Sequence, residues 1–208
     1  MRIIECDQGS VEWQRAHVGR PSASQFHRII TPKTRKPSAS QDRYLADILA
    51  SWALDLPMDD RVTQFMERGK DLEQAAVDWY EFNQDRDAEL IGFALHDTLD
   101  AGCSPDRLVG EDGLLEVKCP SAPIHVMYLL GFDSVMNDYR CQAQGQLWIT
   151  GREWIDLLSY NPSLPPVLHR VERDEEFISA LSEHVEAFCE RVAEGKDRLL
   201  ALGLKVAA

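Results

Sequence analysis

Asp106, Glu116 and Lys118 are the residues of this chain whose types and spacing could do chemistry together. In a strand, alternate side chains share a face, so Leu114-Leu115-Glu116-Val117-Lys118 read as a strand directs Glu116 and Lys118 to one side and Val117 toward a core. Asp106 lies ten residues before Glu116, beyond the turn Gly110-Glu111-Asp112-Gly113, which sets it on the neighbouring strand and across from Glu116. Two carboxylates on a half-buried sheet repel one another unless a cation joins them, and hard oxygen ligands suit Mg²⁺ or Mn²⁺. Such a metal would stabilise charge developing on phosphorus, while the lysine would orient or deprotonate a water. Taken singly the residues are ordinary. Asp106 after Pro105 reads as a turn residue, and Glu116 with Lys118 reads as a solvated ion pair. The combination is what points to metal-assisted hydrolysis.

The elements that must position this set follow from periodicity. Short apolar runs broken by turn residues, Leu90 to Leu95, Ala101 to Leu108 and Leu114 to Lys118, predict antiparallel strands joined by tight turns. Upstream, Ser22-Ala23-Ser24-Gln25 before Phe26, Ile29 and Ile30 reads as a capping box opening a short helix. Tyr44, Ile48, Leu49 and Trp52 recur at helical spacing over residues 43–54, with Pro57 as the stop. A further helix is expected from about Thr63 to Phe82, and on it Ala76, Val77 and Tyr80 share a face with Glu73. Another helix is expected from about Tyr139 to Trp148, then strands from Trp154 to Tyr160 and from Val167 to Glu172. Phe177, Leu181, Val185, Phe188 and Val192 mark the apolar face of a terminal helix. The fold class expected is mixed α and β (α+β), one domain over residues 1–208.

Composition constrains the class further. No stretch reaches the ~18 consecutive apolar residues of a membrane helix, and Met1-Arg2-Ile3-Ile4-Glu5-Cys6-Asp7 turns acidic too early for a signal peptide, so a cytoplasmic protein without membrane partners is expected. The five cysteines have no C-x-x-C pair, which argues for reduced thiols. Net charge is −13, unfavourable for a nucleic-acid enzyme, yet residues 1–45 carry Arg2, Arg15, Arg20, Arg28, Lys33, Arg35, Lys36 and Arg43 against Glu5, Asp7, Glu12 and Asp42. That segment could line a positive groove on an acidic body, or be a solvated basic loop.

Pro105-Asp106, a spacer, then Glu116-Val117-Lys118 resembles the P-D…(D/E)-x-K signature of a nuclease superfamily. Cys103-Ser104-Pro105-Asp106 and Leu115-Glu116-Val117-Lys118-Cys119-Pro120 resemble more closely the YqaJ-type alkaline exonucleases of phage recombination systems, the lambda-exonuclease-like family. In the same order, Trp13 with Ser22-Ala23-Ser24 resembles its amino-terminal motif and Arg68-Gly69-Lys70-Asp71-Leu72-Glu73 its R-G…E helix. Gln142-Ala143-Gln144-Gly145-Gln146-Leu147-Trp148 is similar to its Gln-rich helix, and Val171-Glu172-Arg173-Asp174 to its last strand and turn.

The resemblance implies a restriction-endonuclease-like central mixed sheet flanked by helices. It implies that Asp106 and Glu116, with the Val117 carbonyl, hold two Mg²⁺ ions (Mn²⁺ substituting), with Glu73 as a further metal or metal-water ligand. Lys118 would handle the attacking water, and Gln144 would fix the lysine and nucleophile, with Gln142 and Gln146 as rivals for that place. By sequence alone, Glu73 could instead be a favourable acid near a helix N-terminus. Ser24 would bind a terminal 5′-phosphate, or only cap its helix. The family's phosphate-binding arginine is replaced by His17, so Arg15 or Arg20 could serve instead. The activity implied is processive 5′-to-3′ digestion of one strand from double-stranded DNA ends by a ring-shaped homotrimer, in a bacterial host cell, leaving 3′ tails for a single-strand annealing protein. The alternatives are another nuclease of the superfamily, an endonuclease or a Cas4-like enzyme, and a catalytically silent DNA-end-binding protein.

Overall fold

The computed structural model describes residues 1–57, 64–131 and 135–205, with the side chains of 64–71, 135, 136 and 138 outside the description. A five-stranded mixed sheet in the order β2-β5-β6-β7-β8 is built from β2 (Ala88–Glu89), β5 (Arg107–Val109), β6 (Gly113–Lys118), β7 (Trp154–Ser159) and β8 (Val167–Glu172). Only β6 and β7 run parallel, across the connection that carries α4 (Ala122–Leu129) and α5 (Val135–Thr150); the other pairs are antiparallel. This is the central mixed sheet flanked by helices that the sequence led one to expect.

Alternation along β6 sorts its side chains as the period of two demands. Leu115 and Val117 pack with Ala76, Val77 and Tyr80 of α3 (Gln64–Gln84). Leu114 faces the other way, with Ala143 and Leu147 of α5 and Tyr128 of α4. Glu116 and Lys118 therefore lie on the α5 side. At the start of β6, Gly113 is required by a close approach: a Cβ there would stand 2.1 Å from the Trp154 ring.

The third body of apolar contacts joins Phe26, Ile29 and Ile30 of a 3-10 helix (Ala23–Arg28 and its exit) to Tyr44 and Ile48 of α2 (Gln41–Leu54) and to α6 (Glu175–Ala201). All five positions predicted for the apolar face of the terminal helix are buried. At the other end of the chain, Ser10 caps α1 (Val11–His17) through a bond from Trp13 N.

Several expectations need correction. The Leu90 to Leu95 run is not one strand: only β3 (Phe93–Leu95) is extended, and it pairs with β1 (Arg2–Ile4) and β4 (Gly102–Cys103) in a separate antiparallel sheet. The capping box at Ser22 does not form, since the Ser22 side chain makes no cap bond and its hydroxyl faces that of Ser24. Helix α2 stops at Asp55, whose own N–H bonds Ser51 O and Trp52 O and whose left-handed backbone (φ 50°) turns the Leu56 N–H back onto Ser51 O, before Pro57 can act. Helix α4 was not anticipated, because its apolar residues surround it without a polar face. The expected start at Thr63 and the Arg68-Gly69-Lys70-Asp71 side chains lie outside the described residues. Among the described residues no helix is long and apolar enough to cross a membrane.

Candidate active site

The β5–β6 register pairs Arg107 with Leu115, which sets Asp106, one residue earlier, opposite Glu116. Asp106 Oδ2 accepts the Val117 N–H at 2.6 Å, so the turn residue is tied to the strand bearing the second acid. The Ser104-Pro105-Asp106 turn is itself pinned from the amino-terminal segment. Gln8 Nε2 donates to the Pro105 carbonyl (2.8 Å) and the Ile91 carbonyl (2.9 Å). Trp13 Nε1 donates to Ser104 Oγ (2.8 Å), and Ser104 passes a bond to Gly92 O. Arg107, buried, donates to Asp106 O at 2.6 Å and to Glu73 Oε1 at 2.9 Å.

Glu116 is buried with both oxygens occupied. Oε1 receives Lys118 Nζ and Gln142 Nε2, each at 2.6 Å, and Oε2 receives Gln146 Nε2 at 2.7 Å. Lys118 also reaches Gln142 Oε1 at 3.3 Å and lies over the Tyr139 ring, 4.7 Å from its centroid. Burial pushes the Asp106 carboxyl well above the usual range and the charge of Glu116 adds to the rise, with a smaller contribution from Glu73. At Lys118 burial acts downward, but Glu116 and Asp106 outweigh it and hold the ammonium above its ordinary value. Two crowded acids with one cationic side chain form a donor set that a divalent cation would relieve. Among the described residues no group of three or more His, Cys, Asp or Glu side chains gathers, so the set is two carboxylates, a number Mg²⁺ takes along with waters and phosphate oxygens.

Of the residues expected at the site, Asp106, Glu116 and Lys118 are brought together, and Val117 lends its N–H. Glu73 is ion-paired to Arg107, near enough to bear on Asp106. Gln144 is not brought there. Its Nε2 donates to Glu172 O and its Oε1 accepts from Asp174 N, both at 2.9 Å, so it ties β8 and the start of α6 to α5. Residues 142 and 146 are four apart and share a helix face, while 144 points elsewhere, and it is that pair which faces Glu116.

A cleft of about 160 Å³ adjoins the set, lined by Ser24, His27, Tyr139, Cys141 and Gln142, so Ser24 stands beside a residue that touches Glu116. His17 is elsewhere. It packs between Trp13 (4.2 Å) and Phe93 (4.4 Å), its Nδ1 is 2.8 Å from Trp13 O, burial lowers its pKa, and it does not line the cleft. Arg20 pairs with Asp100 and donates to Ala16 O. Arg15 is exposed on α1 and does not line the cleft. Arg28 and Arg43 pair with Asp47, and Arg35 with Glu176, so with Arg20 half of the eight basic residues of the amino-terminal segment are ion-paired in the fold. Sequence reasoning missed His27 and Tyr139; His27, three residues after Ser24 on one short helix, had a spacing that could have marked it.

The profile of the YqaJ-like viral recombinase domain matches residues 12–153, which include Ser24, Asp106, Glu116, Lys118, Gln142 and Gln146. The chain belongs to this family. Among solved structures, the YqaJ-like fold of this chain superposes on an alkaline exonuclease (LHK-Exo) from Laribacter hongkongensis with a TM-score of 0.82 at 29% identity, covering 93% of this chain and 98% of that one. The structure of LHK-Exo in complex with dAMP gives the same TM-score and coverage at 30% identity. A phage-related exonuclease from Haemophilus somnus 129PT shares the fold, with a TM-score of 0.69 at 14% identity over 90% of this chain and 98% of that one. No curated protein matches.

Proposed function

We infer that this YqaJ-family chain is a DNA exonuclease of the phage recombination type, hydrolysing one strand of duplex DNA from its 5′ end with Mg²⁺. The observation that carries the reading is the Glu116 carboxylate held by Lys118 and Gln142, opposite Asp106 and beside the cleft lined by Ser24. Family membership and the likeness to LHK-Exo, named an alkaline exonuclease and solved with a nucleotide, support it.

Asp106 and Glu116, with the Val117 carbonyl, would hold two Mg²⁺ ions, with Glu73 reaching them through water. When bound, the metal supplies charge stabilisation at phosphorus and makes a water nucleophilic near neutral pH. Lys118, charged, donates to the attacking water and holds it in line with the scissile bond. Gln142 fixes the Lys118 ammonium through Oε1 while holding Glu116 through Nε2, the place that the sequence reading gave to Gln144. Ser24, with His27 beside it, receives the terminal phosphate. Processivity, a ring-shaped homotrimer and delivery of 3′ tails to a single-strand annealing protein belong to the same proposal and rest on the family alone.

The test uses a linear duplex with 5′-phosphate on one strand and 5′-hydroxyl on the other, followed on denaturing gels with Mg²⁺. The phosphorylated strand should shorten first and from its 5′ end. Shortening from 3′ ends would overturn the polarity, and equal cleavage of covalently closed circles would favour an endonuclease.

A further inference from the structure

Three glutamines of α5 are used in three different ways. Gln144 is bonded at both ends of its amide to backbone, as a structural tether is. Gln142 uses both ends within the site. Gln146 is 1% exposed and donates Nε2 to Glu116 Oε2 at 2.7 Å, but its Oε1 is buried with no hydrogen-bond partner among the described residues. An unpartnered buried oxygen destabilises the folded state. Turning the amide over would not help, because it would set Oε1 against a carboxylate oxygen, acceptor against acceptor. An apolar side chain of the same length would serve the core better. What Gln146 does that such a side chain cannot is hold the second oxygen of Glu116.

We propose that Gln146 is a positioning residue for divalent-cation binding: its amide fixes the Glu116 carboxylate in the plane and rotamer in which it receives the metal. This rests on the reading of Asp106 and Glu116 as metal ligands. A neutral donor suits the task. Lys118 already places one cationic charge on Oε1, and a second on Oε2 would cancel the charge a metal needs, whereas an amide orients the oxygen and leaves it anionic. With Lys118 and Gln142 on Oε1 and Gln146 on Oε2, neither rotation about the last side-chain bond nor a change of rotamer is free. The tilt of the carboxylate is thus set before any ligand arrives.

The experiment compares wild type with Gln146→Met, which keeps length and removes both the donor and the orphan oxygen, and with Gln146→Leu as a second shape. Thermal melting without metal, Mg²⁺ binding by calorimetry in the absence of DNA, and half-saturating Mg²⁺ and KM for duplex in nucleotide release are measured. We expect a melting temperature equal to or above wild type for at least one variant, Mg²⁺ affinity lowered roughly 10–100-fold in both binding and kinetics, and an unchanged KM for duplex at saturating Mg²⁺. Gln144→Met should give the reverse, a lower melting temperature with Mg²⁺ affinity retained. Variants at Gln146 that melt lower and bind Mg²⁺ as wild type does would make Gln146 a tether and overturn the inference. Wild type that neither binds Mg²⁺ nor releases nucleotides with it would instead bring down the metal reading, and the inference with it.

Discussion

Gly145 sits where α5 meets the 3-10 helix that carries Ser24. A Cβ at this position would stand 2.6 and 2.9 Å from Phe26 Cδ2 and Cε2 and 3.3 Å from Ala23 Cβ. Phe26 is fully buried, so its ring has nowhere to turn, and Gly145→Ala must push the two helices apart by tenths of an ångström. Overpacking of this kind costs about 1–3 kcal/mol. Replacing glycine by alanine inside a helix returns about 1 kcal/mol. The net loss is therefore about 0–2 kcal/mol, a fall in melting temperature of up to ~8 °C for a chain of this size. The functional effect should be selective. Ser24 rides on the 3-10 helix, whereas Ala143 and Leu147 hold α5 against the sheet, so it is the 3-10 helix that shifts while Glu116 keeps its bonds from Gln142 and Gln146 and Asp106 its bond from Val117 N. Rates on duplexes ending in 5′-phosphate and 5′-hydroxyl should converge in the variant while half-saturating Mg²⁺ stays as in wild type. A variant with wild-type melting and an undiminished preference for phosphate would show that the separation of Ser24 from the catalytic set is not held by this contact.

Two further outcomes follow from the geometry. Lys118→Met should lower nucleotide release by at least ~10² while Mg²⁺ binding persists, as expected for a group that handles the water; loss of Mg²⁺ binding instead would assign it a structural part in the metal site. At His17 burial lowers the pKa below 6.5, so the fold favours the neutral ring, and this contribution is complete above pH 6.5 and is lost as pH falls through the depressed value. His17→Phe should therefore flatten the decline of melting temperature below pH 6.5, and an unchanged decline would place the acid sensitivity elsewhere.

The cluster of Asp106, Glu116 and Lys118 was legible because it is local. Alternation along one strand and a four-residue turn fix which way Glu116, Lys118 and Asp106 point, whatever else the chain does. The terminal helix was legible for the same reason, its apolar face repeating without interruption. The order among the glutamines was not, because Gln142, Gln144 and Gln146 lie close together along one helix and the sequence does not say which of them turns toward β6. Gln144, Gln146, Ala143, Gly145 and Leu147 are all buried, so α5 is enclosed on several sides and the side turned to Glu116 is decided by packing against β6, β7 and the 3-10 helix. His17 stood at a phosphate-binding position by resemblance, yet its fate is set by Phe93, distant in sequence. Half of the basic residues in the amino-terminal segment are paired only in the fold, because their partners Asp47, Asp100 and Glu176 all lie beyond residue 45, where a count along that segment does not reach. The division of the strands between two sheets was hidden likewise: a Cβ on Gly92 would meet the Ile4 carbonyl at 2.3 Å, a contact made only once the first strand folds back.

The central claim is that Asp106 and Glu116 together hold the metal that cleaves DNA. Its most direct test is the release of acid-soluble nucleotides from linear duplex by wild type and by Asp106→Asn, each with Mg²⁺ and with EDTA, alongside calorimetric titration of Mg²⁺ into both. The account predicts release by wild type with Mg²⁺ alone, none from the variant or in EDTA, and loss of Mg²⁺ binding in a variant that remains folded. Release that survives EDTA, or an Asp106→Asn enzyme that still degrades DNA, would contradict it.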